Sequence, residues 1–326
     1  MLKNKNKFRI IRRLFDLPFK LLIIKFFLKL YYVLYNRFNL FEKKFFRYLN
    51  KKEDFFNLYF LDNYSWVLDV SFEEHYETTN NKPYLFVFWY TGFDSLPLVV
   101  DKCISSLKKH SKNYNLILLS KDNYGEYVSV DKNIENMLLS HKISIQNFSD
   151  YLRIKLLEKY NCIWVDATVY AIKDIPLDYS KWNYFSVKSE NIYLNKKEYA
   201  IYPNFKFGQV YLLGGRRKRV FFQCALFFED YLKAGKSYLD YFMIYYFINF
   251  LYKYDPADHE TINSLPENNP HIEDYFYYKS VDVAKIPFCI SPKDVFAKLS
   301  YKLDLSDDLN NKKTLIYNLL NGLFDS

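Results

Sequence analysis

An aspartate that follows an apolar stretch is the strongest candidate in this chain for a catalytic or metal-binding residue. The stretch NCIWVDATVY, residues 161–170, has the β-branched and aromatic content of a buried strand, and Asp166 lies inside it. An unpaired buried charge costs several kcal/mol. Asp166 therefore either caps a turn or lies beside a positive partner, and the pattern leaves both alternatives open.

A candidate partner lies one predicted helix earlier, in the stretch SDYLR at residues 149–153. Asp150 and Arg153 are three residues apart, so they share one face of that helix. The leucines of the helix form its apolar stripe, and we expect the polar pair to lie off the core face. Taken alone, the pair is typical of an ordinary salt bridge, but the strand that follows favours a pair facing the same cleft as Asp166.

Alternating strands and helices must position these residues. The predicted strands are 83–90, 115–120 and 161–170, and the predicted helices between them are 95–110, 133–144 and 145–160. This β-α-β-α-β order predicts an α/β fold in which a parallel sheet carries helices on its faces. Ligands of such sheets bind outside the carboxyl ends of the strands, where we expect Asp166 to lie.

The later part of the chain is less regular. We expect strands over 182–187 and 207–215, helices over 216–235 and 237–254, and a loop followed by short helices from about residue 285. The sequence shows no internal repeat and no long linker.

Composition and charge restrict the class of protein. Half of the 326 residues are hydrophobic and 21% are aromatic, which is enough for a sizeable core. The four cysteines form no C-x-x-C pair, which argues against a zinc site or a disulfide framework and indicates reduced thiols in a cytosolic protein.

Residues 1–50 hold 13 basic and 2 acidic residues, whereas the remainder is nearly neutral. The missing basic face on the main domain argues against nucleic acid as a partner.

The basic charge belongs to an aromatic N-terminal arm, residues 8–38. Charges interrupt its apolar part, so we expect neither a signal peptide nor a transmembrane span, which needs about 18 uncharged apolar residues. Pro18 is expected to end one helix and begin another, on which Lys25, Lys29 and Asn36 share one side. This pattern favours a helix lying on an anionic membrane surface. The alternative is a helical subdomain packed on the main body with solvated lysines.

Several motifs, taken in order, resemble one family of glycosyltransferases. S-D-x-x-R, an apolar helix and then W-x-D-A-T are similar to the pattern of the capsular polysaccharide synthesis family, which looks related to DXD-containing sugar transferases. Further stretches that resemble the family are FWYTGFDSLP (88–97), ILLSKDNYGEYV (117–128), DYFMIYYFI (240–248), SLPENNP (264–270) and KLSYK (298–302). The resemblance covers residues 83 to 305. Asn161 and Cys162 replace two glycines of the family pattern before the strand.

The resemblance implies a fold and a metal site. It implies a GT-A-like nucleotide-sugar-binding domain with a mixed, mainly parallel sheet over residues 81–326, preceded by a helical arm over residues 1–80. Asp166 would be catalytic and would hold Mn²⁺ or Mg²⁺, which neutralises the charge of a departing diphosphate. Thr168 stands where the DXD pattern has a second carboxylate. It would bind the metal weakly, through water, or not at all.

The resemblance also implies which residues bind the donor. In that pattern Trp89 or Tyr90 would stack on the base, and Lys298 and Lys302 would reach the diphosphate from a closing C-terminal loop. For these four residues an aromatic core residue or a solvated lysine is an equal alternative. The remaining residues implied in donor binding are Asp150, Arg153 and Trp164. Asp240, which precedes an apolar helix, would be catalytic and face the acceptor, or would instead be favoured by the helix dipole.

The function implied by the resemblance is glycosyl transfer. A sugar would pass, with retention of configuration, from a donor such as a UDP-hexose or UDP-N-acetylhexosamine to a cell-surface glycan in capsular or exopolysaccharide synthesis. A lipid-linked acceptor would suit the arm and a cytoplasmic protein that is peripheral at the inner face of the bacterial cell membrane. Two alternatives stay open: a non-catalytic sugar- or nucleotide-binding relative that lacks the second carboxylate, and a membrane-associated scaffold.

Overall fold

The computed structural model describes residues 17–73, 82–188, 209–216, 219–289, 291–302 and 306–322. The first helix predicted for the arm, before Pro18, lies outside these ranges, as does the start of the strand predicted over 207–215. Within these ranges, no helix has both the length and the apolar character needed to cross a bilayer.

A five-stranded mixed sheet forms the centre of the protein, and a second sheet has two strands. The strands are β1 (Tyr84–Phe88), β2 (Asn115–Leu119), β3 (Cys162–Val165), β4 (Val169–Ala171), β5 (Phe185–Ser186), β6 (Leu212–Gly214) and β7 (Phe296–Lys298). The central sheet has the order β2-β1-β3-β6-β5. β1 is parallel to β2 and β3, whereas β6 is antiparallel to β3 and β5.

Helices cover both faces of the central sheet. The helices of the described ranges are α1 (Phe19–Phe38), α2 (Glu42–Tyr64), α3 (Leu98–His110), α4 (Lys132–Leu139), α5 (Ile145–Lys159), α6 (Arg219–Lys233), α7 (Met243–Tyr254), α8 (Pro256–Asn263), α9 (Asp274–Tyr277), α10 (Ser306–Asn310) and α11 (Leu315–Leu320). Along β1, Phe86 joins the cluster built with α5, α6 and α7, whereas Val87 joins the cluster that includes Ile104 of α3. Successive strand residues point to opposite faces, so the predicted α/β organisation is confirmed.

The strand order creates a switch point at β1. The chain runs from β1 to β2 on one side, and then returns across β1 to form β3 on its other side. In open α/β sheets the crevice at such a point, outside the carboxyl ends of the strands, is the usual place for a ligand. Here that crevice lies beyond Phe88 of β1 and Val165 of β3.

The strand predicted over residues 161–170 is two strands in two sheets. β3 ends at Val165, and β4 begins at Val169 and pairs antiparallel with β7. Between them the backbone N–H of Val169 donates to the carbonyl of Asp166 over 2.9 Å, which closes a turn. The prediction of one strand was wrong because both halves are fully buried and give the same apolar pattern. The loop and short helices predicted from about residue 285 also omit β7.

The arm packs against the body of the protein. Its described helix begins after Pro18, as predicted. Leu21 of α1 belongs to the main buried cluster, and Phe56 of α2 stacks on Tyr246 of α7 with ring centroids 4.3 Å apart. Lys25 does not share a solvated side with Lys29, because its ammonium faces the body of the protein. The packing expected of a helical subdomain is therefore present, while the domain boundary near residue 80 stays a prediction.

Candidate active site

A cavity of about 450 Å³ opens at the carboxyl ends of β1 and β3. Small-ligand sites typically measure about 300–1,000 Å³. Trp89 and Tyr90 enter the cavity directly after β1, and Asp166 enters it directly after β3. Side chains from α5, from the start of α7, from the segment before β6 and from the end of β7 complete the lining.

The start of α5 is fixed by a capping box. The Ser144 hydroxyl accepts a hydrogen bond from the backbone N–H of Asn147, and the Asn147 side chain accepts one from the backbone N–H of Ser144. Such a pair satisfies two backbone donors that a helix start leaves unpaired. Phe148 and Leu152 of the same helix are fully buried, which fixes the face that carries Asp150.

Arg153 of α5 joins the two candidate aspartates. Its Nη1 donates to Asp150 Oδ1 and its Nη2 donates to Asp166 Oδ1, each over 2.9 Å. The Arg153 side chain is only 4% exposed, and its guanidinium carbon lies 5.0 Å from the centre of the Trp164 ring. The expectation that this pair lies off the core face is wrong for Arg153, because its stem is buried and its guanidinium packs on that ring. Of the two alternatives for Asp166, a turn and a positive partner, the structure shows both.

Trp164 positions Asp166 from behind the cavity. Its side chain is 1% exposed and lies outside the described lining. The indole Nε1 donates to Asp166 Oδ1 over 2.9 Å, so this oxygen accepts from both Trp164 and Arg153. Trp164 therefore stands behind Asp166, where it orients the carboxylate, and its role in donor binding stays a prediction.

The two carboxyl groups differ in charge. Burial opposes the ionisation of Asp166, but the Arg153 guanidinium and the Lys298 ammonium outweigh it and hold the pKa of Asp166 below its usual value. Burial raises the pKa of Asp150 to about 7, and the negative Asp166 adds to this rise although Arg153 opposes it. Near neutral pH, Asp166 is therefore ionised and Asp150 is partly protonated. A protonated carboxyl can donate a hydrogen bond as well as accept one.

Strand pairing brings Lys298 to the same place. It stands opposite Val169 in the β4–β7 pair, and its backbone N–H donates to the carbonyl of Ile272 over 2.8 Å. Lys298 Nζ lies 2.6 Å from Thr168 Oγ1 and 3.4 Å from Asp166 Oδ2. The expectation of a closing loop is wrong for Lys298, because a strand holds its backbone. Lys302 lines the same cavity and is exposed.

Aromatic side chains form part of the wall of the same cavity. Trp89 and Tyr90 are partly buried and both line the cavity, as the stacking interpretation requires. Trp89 meets Tyr301 edge to face with ring centroids 5.2 Å apart, which fixes one side of the wall. Aromatic faces of this kind suit the apolar face of a base or of a sugar ring.

Asp240 lies outside the described lining of the cavity. Its side chain is 6% exposed, and its Oδ2 lies 2.8 Å from Lys25 Nζ and 2.9 Å from Lys52 Nζ. Its Oδ1 accepts from the backbone N–H of Phe242 over 3.0 Å, just before α7. The geometry favours the helix-start interpretation over an acceptor-facing acid. Tyr241 and Phe242, which follow it, do line the cavity, so Asp240 positions part of the wall.

Polar residues that the sequence analysis missed complete the cavity. The Tyr211 hydroxyl donates to Glu273 Oε1 over 2.7 Å, and the Tyr245 hydroxyl donates to Gln209 Oε1 over 3.2 Å. Glu273 immediately precedes the short helix α9, and Tyr211 immediately precedes β6. No spacing in the sequence joins them to Asp166, since they come from separate segments that only the fold brings together.

The donor atoms around Asp166 do not fit Mn²⁺ or Mg²⁺. Oδ1 already accepts from Arg153 and Trp164, and the Lys298 ammonium lies against both Oδ2 and the Thr168 hydroxyl. In the described ranges no group of three or more His, Cys, Asp or Glu side chains could hold a metal ion. Mg²⁺ demands near-octahedral oxygen coordination. The cavity instead presents fixed organic cations.

One family model matches most of the chain. It is described as capsular polysaccharide synthesis protein, and it matches residues 41–319. The matched range contains the SDYLR and WVDAT stretches and Lys298. Neither the curated proteins nor the solved structures provide a significant match.

Proposed function

The chain belongs to the capsular polysaccharide synthesis protein family, and from this premise we propose that it is a glycosyltransferase of GT-A-like fold. Its donor is a nucleotide sugar, such as a UDP-hexose or UDP-N-acetylhexosamine, and its acceptor is a cell-surface glycan. The observation that carries this proposal is the cavity in which Asp150, Arg153 and Asp166 meet Lys298 beside an aromatic wall.

Each part of a nucleotide sugar has a matching group in this cavity. Carboxylates and a guanidinium, as in the Asp150–Arg153–Asp166 chain, make strong directional hydrogen bonds, which suits the hydroxyls of a sugar. Lys298 and Lys302 supply positive charge for a diphosphate. Trp89 and Tyr90 supply aromatic faces for the base. A ligand that carried only one of these parts would leave the other groups of the cavity unused.

The proposed reaction needs no dedicated protein base. The bond between the sugar C1 and the diphosphate oxygen breaks, and its electron pair stays on that oxygen. The acceptor hydroxyl oxygen bonds to C1 on the same face, with retention, and its proton passes to the departing diphosphate oxygen. Cations fixed beside the developing charge stabilise the transition state more than the ground state. This is the role that the proposal gives to the ammonium of Lys298.

We further propose that α1 lies on an anionic membrane surface. An exposed apolar stripe runs along the helix at spacings of three and four residues, and it consists of Phe19 (77% exposed), Ile23, Phe26 (65% exposed), Leu30 and Val33. The exposed cations Lys20, Lys29 and Arg37 accompany it. An apolar helix face accompanied by cations is complementary to anionic lipids. The protein would then be cytoplasmic and peripheral, beside a lipid-linked acceptor.

Turnover separates an enzyme from a non-catalytic relative. The assay follows release of nucleoside diphosphate from UDP-, GDP- and CMP-linked sugars, with release of CMP followed for the last class, by the wild type and by Arg153→Lys. The proposal expects slow hydrolysis of one donor class by the wild type, and at least tenfold slower hydrolysis by the variant. Tight binding of a donor with no turnover in the presence of capsular glycan extracts would favour the non-catalytic relative.

Vesicle sedimentation tests the membrane surface. Phosphatidylglycerol vesicles should sediment the wild type, phosphatidylcholine vesicles should sediment less of it, and Phe19→Ser with Phe26→Ser should abolish the difference. The matched control is Leu139→Ser on α4, which removes an apolar side chain that is 69% exposed away from the stripe. Equal sedimentation of the stripe variant and the control would contradict the proposal. Loss of donor turnover is not expected for either variant, whereas a pure scaffold would show no turnover at all.

A further inference from the structure

The position beside Asp166 that a divalent cation would take holds a lysine ammonium. Lys298 Nζ is 2.6 Å from Thr168 Oγ1 and 3.4 Å from Asp166 Oδ2, so it contacts both of the groups that a DXD-type metal site would use here. Two unit charges of the same sign repel strongly at about 4 Å in a partly buried site. A divalent cation at this place would therefore have to displace the ammonium.

The remaining oxygen of Asp166 offers no alternative metal position. Its Oδ1 accepts from Arg153 Nη2 and from Trp164 Nε1, each over 2.9 Å. Asp150 Oδ1 is likewise engaged by Arg153 Nη1. A metal bound there would compete with the buried guanidinium of Arg153. In the described contacts, Asp150 and Asp166 are the carboxylates that pair with this guanidinium.

Several contacts hold Lys298 where it is. Its backbone is fixed on both sides, because its own N–H donates to Ile272 and the next N–H, that of Leu299, donates to the carbonyl of Thr168, each over 2.8 Å. Its ammonium also lies 4.8 Å from the centre of the Tyr211 ring, within the range of a cation–π contact. The positive charge is therefore positioned before any ligand binds, and such preorganisation is what electrostatic catalysis requires.

We propose that Lys298 takes the place of the divalent cation, so that this chain binds its donor and transfers sugar without metal. The inference rests on the proposed glycosyltransfer. When the C1–O bond of the donor breaks, the electron pair stays on the diphosphate oxygen, and the Lys298 ammonium faces the charge that develops there. Lysine is a compact point charge, and it serves as a phosphate ligand in other protein sites. Asp166 and Thr168 are then positioning residues that aim this ammonium.

Two measurements test this assignment. The first is calorimetric titration of UDP, GDP and CMP and of their sugar conjugates into the wild type, once with EDTA and once with Mn²⁺, each at about 1 mM, enough to saturate a typical catalytic metal site. We expect the Kd of the bound nucleotide to agree within about threefold between the two buffers. Lys298→Met should weaken binding at least tenfold, Lys298→Arg should retain more of it, and the exposed control Lys293→Met should leave it unchanged.

The second measurement needs no nucleotide. Electron paramagnetic resonance of Mn²⁺ alone should show only the free aquo ion with the wild type, because the ammonium holds the metal position. Mn²⁺ bound by the wild type and released by Asp166→Asn would overturn the inference, as would nucleotide binding that requires Mn²⁺. Binding that requires Mn²⁺ would leave the glycosyltransferase proposal standing. If no nucleotide binds in either buffer, the proposed function fails, and the Lys298 inference fails with it.

Discussion

Arg153 and Asp166, 13 residues apart, are joined by a 2.9 Å hydrogen bond between Nη2 and Oδ1. This bond joins α5, which covers one face of the central sheet, to the turn between β3 and β4. The guanidinium also holds Asp150, so one side chain sets the geometry of both carboxyl groups in the cavity.

Removing the Arg153 guanidinium should strongly destabilise the protein. Arg153→Met leaves two carboxyl groups in the site without their common cation, and breaking a buried ion pair on one side costs about 3–5 kcal/mol. Urea unfolding measures the loss. The matched control is Lys155→Met on the same helix, whose more exposed ion pairs with Glu158 and Glu229 should be worth about 1 kcal/mol or less. Equal losses for the two variants would contradict the structural role of Arg153.

Trp164→Phe should remove a hydrogen bond to Asp166 without opening a large cavity in the core. The substitution keeps an aromatic ring but deletes the indole N–H that donates to Asp166 Oδ1. A hydrogen bond to a charged group contributes about 1.5–3 kcal/mol, and we expect the free energy of unfolding to fall by that order. The pKa of Asp166 should rise, so acid unfolding should begin at a higher pH. Trp66→Phe, on an exposed side chain, should change neither quantity.

Asp240→Asn tests whether this residue is structural or faces the acceptor. The substitution leaves Lys25 and Lys52 without their shared carboxylate, and we expect a loss of about 3–5 kcal/mol because the site is largely buried. The double variant Asp240→Asn with Lys52→Met should recover part of that loss. Wild-type stability in Asp240→Asn, combined with lost turnover, would instead support the acceptor-facing interpretation.

Stability should fall as the pH rises between about 4 and 7. Burial raises the pKa of Asp150 to about 7, from a usual value of 3.8, and it does the same for Asp258, a residue of α8 that is 1% exposed. In this window the unfolded state has lost both protons while the folded state retains them, so folding is favoured at the lower pH. Each group contributes a slope of about 1.4 kcal/mol per pH unit.

Two variants apportion this pH dependence. Asp150→Asn and Asp258→Asn should each remove the contribution of one group from the slope of unfolding free energy against pH. The double variant should remove both contributions. The lowered pKa of Asp166 acts in the opposite direction, because its stabilising contribution is lost only as the pH falls through its folded value. An unchanged slope between about pH 4.5 and 6.5 in both single variants would contradict the raised pKa values.

Local patterns in the sequence predict most of the elements that build this site. The apolar run before Asp166 indicates a buried strand, and the helix predicted over residues 145–160 is observed as α5. The order of strands and helices also predicts that Asp166 lies at the ligand-binding edge of the sheet. These features depend on neighbours within a few residues, which is the range over which periodicity carries information.

Contacts between distant segments could not be predicted in this way. Lys298 meets Thr168 across 130 residues through a three-residue strand that is too short to give a periodic signal. Asp240 meets Lys25 across an even longer stretch of chain, and the helix-start pattern in the sequence gives no sign of this ion cluster. Burial of Arg153 depends on Trp164, which lies outside its own helix. Each of these contacts is created by the tertiary fold and not by local spacing.

Calorimetric titration of nucleotide sugars into the wild type and Asp166→Ala tests whether the cavity at Asp166 binds a glycosyl donor. The panel contains UDP-, GDP- and CMP-linked sugars, each in buffer with Mn²⁺ and in buffer with EDTA. We expect saturable binding of one nucleotide class to the wild type, and at least tenfold weaker binding to an Asp166→Ala variant that remains folded by circular dichroism. If no nucleotide sugar binds the wild type in either buffer, Asp166 is a structural residue and the glycosyltransferase proposal is contradicted.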